Sequence, residues 1–142
     1  MDSKPAKKKN KAVIWLALAV IIVLVLVATF NALTGWKVPA SARKLHNPFP
    51  ATASTLKAGG EIYAKRCKDC HGVNGDGNGE RASKLSTMPS DFTDAREMNR
   101  QTDGELFWKI THGRRPMPAF QNKLTDQERW EVEDYIRTFA KK

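Results

Sequence analysis

Cys67, Cys70 and His71 are the residues whose types and spacing carry chemistry. They stand in the run Cys67-Lys68-Asp69-Cys70-His71, and a C-x-x-C-H run reads as the attachment site of a c-type haem. The spacing has a chemical reason. Two thiols three positions apart, on one turn at the end of a helix, reach the vinyl groups on one edge of a porphyrin and add across them as thioethers. The next residue, His71, then falls under the ring, where its imidazole ligates the iron. Rival readings fare worse. A thioredoxin-like dithiol needs a strand–helix context, and little of this chain reads as strand. A four-thiolate zinc site needs more than the two cysteines present, and no paired histidines complete one.

A second axial ligand is expected from a methionine, the usual partner of histidine in electron-transfer haem c. With Met1 set aside, Met88, Met98 and Met117 remain. Met117 lies between Pro116 and Pro118 in a loop between two expected helices. Two prolines stiffen the backbone and present the sulfur at a fixed point. Met117 leads on that ground, with His112 and Met88 as alternatives and an open sixth position as the last. Met98, in a polar stretch, reads as packing or surface, and the lone His46 reads as a loop residue.

The chain that must position these groups has 142 residues, 24 lysines and arginines against 15 acids, and a formal charge of +9. Five lysines (Lys4, Lys7, Lys8, Lys9, Lys11) crowd residues 1–11, with Asp2 the one acid. Elsewhere the charge is dispersed, which argues against nucleic acid as a partner. Ala12 to Phe30 carries no charge, and extension to Leu33 gives a stretch long enough for a hydrocarbon core. No small-residue cleavage site follows, so 12–33 reads as an uncleaved transmembrane anchor and not a signal peptide. The lysines before it keep the N-terminus cytoplasmic. The remainder is then exported, a single-pass protein of the inner membrane with its soluble part in the periplasm. Haem attachment to such a motif in bacteria takes place on that side.

Residues 34–54, with Pro39, Pro48 and Pro50, read as a linker, and 55–142 as the haem domain. Leu56 to Arg66 is expected to be a helix capped by Ser54 or Thr55. The glycine-rich Gly72–Gly79 loop lacks the last acidic ligand of a calcium loop and the lysine of a phosphate loop. Residues 81–94 look irregular. Thr102 and Glu105 form a capping-box pattern for a helix through Ile110. Thr125 opens the last helix, with Trp130, Val132, Tyr135, Ile136 and Phe139 as its apolar positions and Lys141 and Lys142 at its end.

Taken together, Gly59…Tyr63…CKDCHG, then ITHGRRPMPAF, then LTDQERWEVEDYIRTF resemble the class I monohaem cytochrome c family, in its bacterial, membrane-anchored form. The resemblance implies an all-α fold of helices wrapped around one covalently attached haem, here preceded by a single N-terminal transmembrane helix. It implies Cys67 and Cys70 as thioether sites, His71 as proximal ligand and Met117 as distal ligand. It implies that Gly59 and Tyr63 meet Val132 and Tyr135 where two helices cross. A proline carbonyl in the family often accepts the proximal histidine's Nδ1–H; Pro89 is the candidate here, and Pro116 the second. Pro118, Phe92, Leu106, Phe107, Trp108, Phe120 and Trp130 are expected around the haem.

Such a domain carries electrons and does no bond chemistry of its own. Its partners would be redox proteins, donor and acceptor, in a respiratory or photosynthetic chain. Lys65, Lys68, Arg114 and Arg115 would steer acidic faces toward the haem. Two competitors stand beside this reading: a haem subunit of a larger membrane oxidoreductase, and a haem sensor or peroxidase, which needs a labile sixth ligand.

Overall fold

The computed structural model describes residues 6–140, with side chains for 11–30 and 35–140. Lys4, expected in the basic N-terminus, and Lys141 and Lys142, expected at the last helix end, lie outside the described residues. The chain divides into two units between Lys37 and Val38.

The first unit is one helix, α1 (Ala6–Thr34). Its 29 residues extend about 43 Å at about 1.5 Å each. The stretch Lys11–Phe30 is long and apolar enough to cross a membrane by length and composition. Its leucine, valine and isoleucine side chains point outward around the whole circumference, and Trp15 near its start is 71% exposed.

The second unit is built from short helices: α2 (Ala40–Arg43), α3 (Ala53–Arg66), α4 (Lys68–His71), α5 (Ala95–Arg100), α6 (Asp103–His112) and α7 (Asp126–Arg137). Among the described residues no sheet forms; Arg114 and Met117 make an isolated bridge. The all-α reading of the sequence therefore holds among the described residues. Three helices start at reciprocal capping boxes. Thr102 pairs with Glu105 at α6 and Thr125 with Glu128 at α7. At α3 the box is Thr52 with Thr55, so this helix begins three residues before the expected Leu56. A threonine hydroxyl replaces the usual carboxylate at the third position, and the Thr52 N–H donates to it at 2.8 Å.

Helices α3 and α7 cross at Gly59. A Cβ there would stand 2.0 Å from the Glu131 carbonyl oxygen and 3.0 Å from Tyr135 Cβ. The two main chains thus touch, and only glycine fits between them. Tyr63, one turn on, packs its ring against Tyr135 and Phe139 at centroid distances of 5.5 and 5.1 Å. Leu106 and Ile110 from α6 join Val132 and Ile136 from α7 in the same core.

Two segments differ from the sequence reading. Residues 34–54 do not form a free linker throughout. From Val38 onward they pack into the second unit: Val38 and Ala42 are buried. The Ala42 carbonyl would lie 2.0 Å from a Cβ on Gly104, and Asn47 donates to Asp134 at 2.8 Å. Prolines had marked the segment as open chain, but rigid extended chain also packs well against a helix. The second difference is α5, too short and polar to show a helical stripe. It carries Met98 to 2% exposure, the packing alternative of the two the sequence left open for that residue.

Candidate haem-binding site

Helix α3 ends at Arg66 and α4 begins at Lys68, so Cys67 closes one and opens the other. Its N–H donates to the Tyr63 carbonyl at 2.9 Å, and its own carbonyl accepts from Cys70 and His71 at 3.1 and 2.9 Å. This single turn sets both thiols and the imidazole within five residues of one rigid piece. The thiols are free. Burial, with the Cys70 thiol beside it, pushes Cys67 up to about 12, so it stays a neutral thiol at neutral pH.

The His71 ring is held from two sides. Its Nδ1 lies 3.2 Å from the Ser90 carbonyl oxygen. A carbonyl only accepts, so Nδ1 carries the proton and Nε2 keeps its lone pair. The Phe92 ring stacks on the imidazole at 4.6 Å and 17°. Burial lowers the His71 pKa, and the bond to Ser90 partly opposes that shift. The result is a neutral imidazole with a nitrogen ready for a metal.

Pro89 was expected to supply that carbonyl, and Ser90 supplies it instead. The Pro89 carbonyl lies over Gly77, whose φ is +76° and whose Cβ would meet that oxygen at 2.8 Å and the Ser90 oxygen at 3.5 Å. Pro116 does not serve either; it sits in the turn that carries Met117. There, Met117 N–H donates to the Arg114 carbonyl at 2.8 Å and Arg114 N–H to the Met117 carbonyl at 3.0 Å. Pro118 packs where Gly113, at φ +61°, leaves room for it.

Cys67, His71 and Met117 line one cavity. Phe92 and Phe120 line it too, together with Ile110, Leu124, Val132 and Ile136. Met88, at 67% exposure, and the exposed His112 do not; His112 stacks on Trp108 and bonds its own helix through the Trp108 carbonyl. Trp108, Trp130, Leu106, Phe107 and Tyr63 also stand outside the lining. The reason is helical geometry. Trp130 lies two residues before Val132 and Trp108 two before Ile110, about 200° around the helix from the wall residue. Trp130 stacks on Phe107 at 4.1 Å instead. Leu124 was missed at the sequence level because it ends a loop, while the period of four from Val132 to Ile136 was a legible signal.

The donor set suits a covalently held haem. Free thiols stand at thioether spacing, a neutral imidazole follows, a thioether sulfur shares the cavity, and the rest of the lining is apolar. Among the described residues no cluster of three or more histidine, cysteine or acidic side chains offers a rival metal site.

Comparison with known proteins gives the same answer. A family model described as cytochrome c oxidase, cbb3-type, subunit III matches residues 54–136. The chain is 28% identical over 92 residues to cytochrome c6 of Thermosynechococcus vestitus, covering 65% of this chain and 77% of that one. It is 32% identical over 99 residues to the cbb3-type cytochrome c oxidase subunit FixP of Azorhizobium caulinodans, covering 69% of this chain and 32% of FixP. A chain of the Kuenenia stuttgartiensis reducing HAO-like protein complex superposes with a TM-score of 0.60 at 28% identity, over 78% of this chain and 54% of that one. The KustC0563 c-type cytochrome superposes with a TM-score of 0.52 at 30% identity, over 58% of this chain and 98% of that one. The chain belongs to the cytochrome c family, as an electron-transfer protein with one covalently bound haem c.

Proposed function

We propose that this chain is a membrane-anchored, single-haem electron carrier whose iron is ligated by His71 and Met117. Cys67 and Cys70 form the thioethers. Bound there, the haem supplies a one-electron couple between ferric and ferrous iron. The protein's part is to hold and tune that couple. His71 donates its Nδ1–H to the Ser90 carbonyl and keeps its other nitrogen for the iron. Apolar side chains exclude water, and the methionine sulfur favours the reduced state. The α1 helix holds the carrier at the inner membrane, N-terminus cytoplasmic, with the haem domain on the periplasmic side. Its partners are redox proteins with acidic faces, met by the exposed Lys65, Lys68, Arg114 and Arg115.

One observation carries the ligand pair. Of the three described methionines and His112, Met117 alone shares the cavity with Cys67 and His71. A second reading draws on the family match: the same domain acts as the haem subunit of a larger oxidoreductase. The chain spans about a third of FixP, an oxidase subunit by name, so further chains would complete such an assembly.

The test is an optical spectrum of the haem-loaded protein and of Met117→Ala. A weak ferric band near about 695 nm marks an iron–methionine bond. Wild type is expected to show it and the variant to lose it. A wild type that lacks the band and binds carbon monoxide readily would sink the ligand pair and favour a sensor or peroxidase.

A further inference from the structure

Tyr63 brackets the haem-attachment motif at both ends. Its carbonyl takes the N–H of Cys67 at the motif's entry, at 2.9 Å. Its hydroxyl donates to the carbonyl of Gly72, the residue after His71, at 2.6 Å. The side chain is 2% exposed, and its ring is wedged between those of Tyr135 and Phe139. Core packing does not account for the oxygen. A phenylalanine would fill the same aromatic cluster, and a buried hydroxyl is costly unless bonded. Here it is bonded, and its partner is the exit of the motif.

That exit needs a restraint. Gly72 stands at φ +82°, a conformation open mainly to glycine. Besides the Tyr63 hydroxyl, its carbonyl accepts from Gly75 N–H at the longer distance of 3.2 Å. The His71 ring itself is tied to Ser90 at 3.2 Å, the long end of the N–H···O range. Without the hydroxyl, the Gly72 carbonyl would keep only the weaker of its two bonds, while the peptide joining His71 to Gly72 stays tied by Gly72 N–H to the Lys68 carbonyl and by Gly77 N–H to the His71 carbonyl, both at 2.8 Å. The freedom would enter at the turn that leaves the motif, one residue past the imidazole.

We propose that the Tyr63 hydroxyl is a positioning group for the axial histidine: it clamps Gly72 so that His71 keeps one orientation toward the iron. Through its ring the same residue ties that orientation to α7. The inference rests on His71 being an iron ligand.

The experiment compares the full haem-loaded chain in detergent with Tyr63→Phe and Tyr135→Phe. The second variant trims a hydroxyl from the neighbouring ring of the same cluster. Two readouts serve: the reduction midpoint by potentiometric titration, and the pattern of hyperfine-shifted haem methyl resonances in the ferric protein, which follows the plane of the imidazole. Tyr63→Phe is expected to change the reduction equilibrium at least threefold, about 28 mV at 59 mV per tenfold, and to redistribute the methyl shifts. Tyr135→Phe is expected to match wild type in both. A Tyr63→Phe protein that is less stable yet keeps its midpoint and methyl pattern would overturn the proposal and leave the hydroxyl a packing bond. Equal shifts in both variants would overturn it as well. A high-spin ferric spectrum in wild type, seen before any variant is compared, would overturn the ligand assignment and the clamp with it.

Discussion

Glu133 is fully buried on α7. One carboxylate oxygen accepts from Arg137 Nε at 2.6 Å, and the other has no hydrogen-bond partner among the described residues. Burial pushes its pKa from 4.5 up to about 7; Arg137 opposes that shift, and the Asp103 and Asp134 carboxylates add to it. The folded chain therefore holds this proton more tightly than the unfolded chain. The stability gained is fully present below about pH 4.5 and is lost as pH rises through about 7. A shift of about 2.5 units corresponds to about 3 kcal/mol. Glu133→Gln mimics the protonated acid at every pH. It is expected to match wild type near about pH 4 and to be more stable by up to about 3 kcal/mol near about pH 8. Guanidinium unfolding of both haem-loaded proteins across that range measures the difference. Comparing the two cancels the titrating groups not coupled to Glu133. Parallel stability curves, or a variant less stable than wild type at the alkaline end, would refute the reasoning.

Other outcomes follow from packing. Gly59→Ala drives a Cβ to 2.0 Å from a main-chain carbonyl, which no rotamer change relieves. A loss of at least about 3 kcal/mol is expected, read as a lowered unfolding midpoint, and a change under about 1 kcal/mol would show that the helices slide apart freely. Met98→Ala empties a site that is 2% exposed. It should cost about 2–5 kcal/mol while leaving the ferric spectrum unchanged, whereas loss of the methionine band would make Met98 the ligand.

The chemistry was the most legible part of the sequence, because it lies in five consecutive residues. The starts of α6 and α7 were equally plain, since Thr102/Glu105 and Thr125/Glu128 are local signals. The Thr52/Thr55 box escaped because its second member is not an acid. Three features depend on contacts distant in sequence. Met98 is buried by tertiary packing that overrides its polar neighbours. Residues from Val38 onward dock on α6 and α7, although their prolines read as open linker. Ser90 takes the place expected of Pro89, whose carbonyl lies against Gly77. The wall residues show the same limit: aromatic type pointed to Trp108 and Trp130, while the turn of the helix put Ile110 and Val132 on the cavity.

The contact at Gly59 has a consequence for how this domain can change. The spacing of α3 and α7 is set by main-chain atoms, which are the same whatever side chains the helices carry. Val132 and Ile136 line the cavity from a helix whose position does not depend on their own shape. Substitutions at those two positions can alter the polarity around the iron while the frame stays put. Tuning of the redox couple and maintenance of the architecture are therefore separable problems for this chain, solved by different atoms of the same helix.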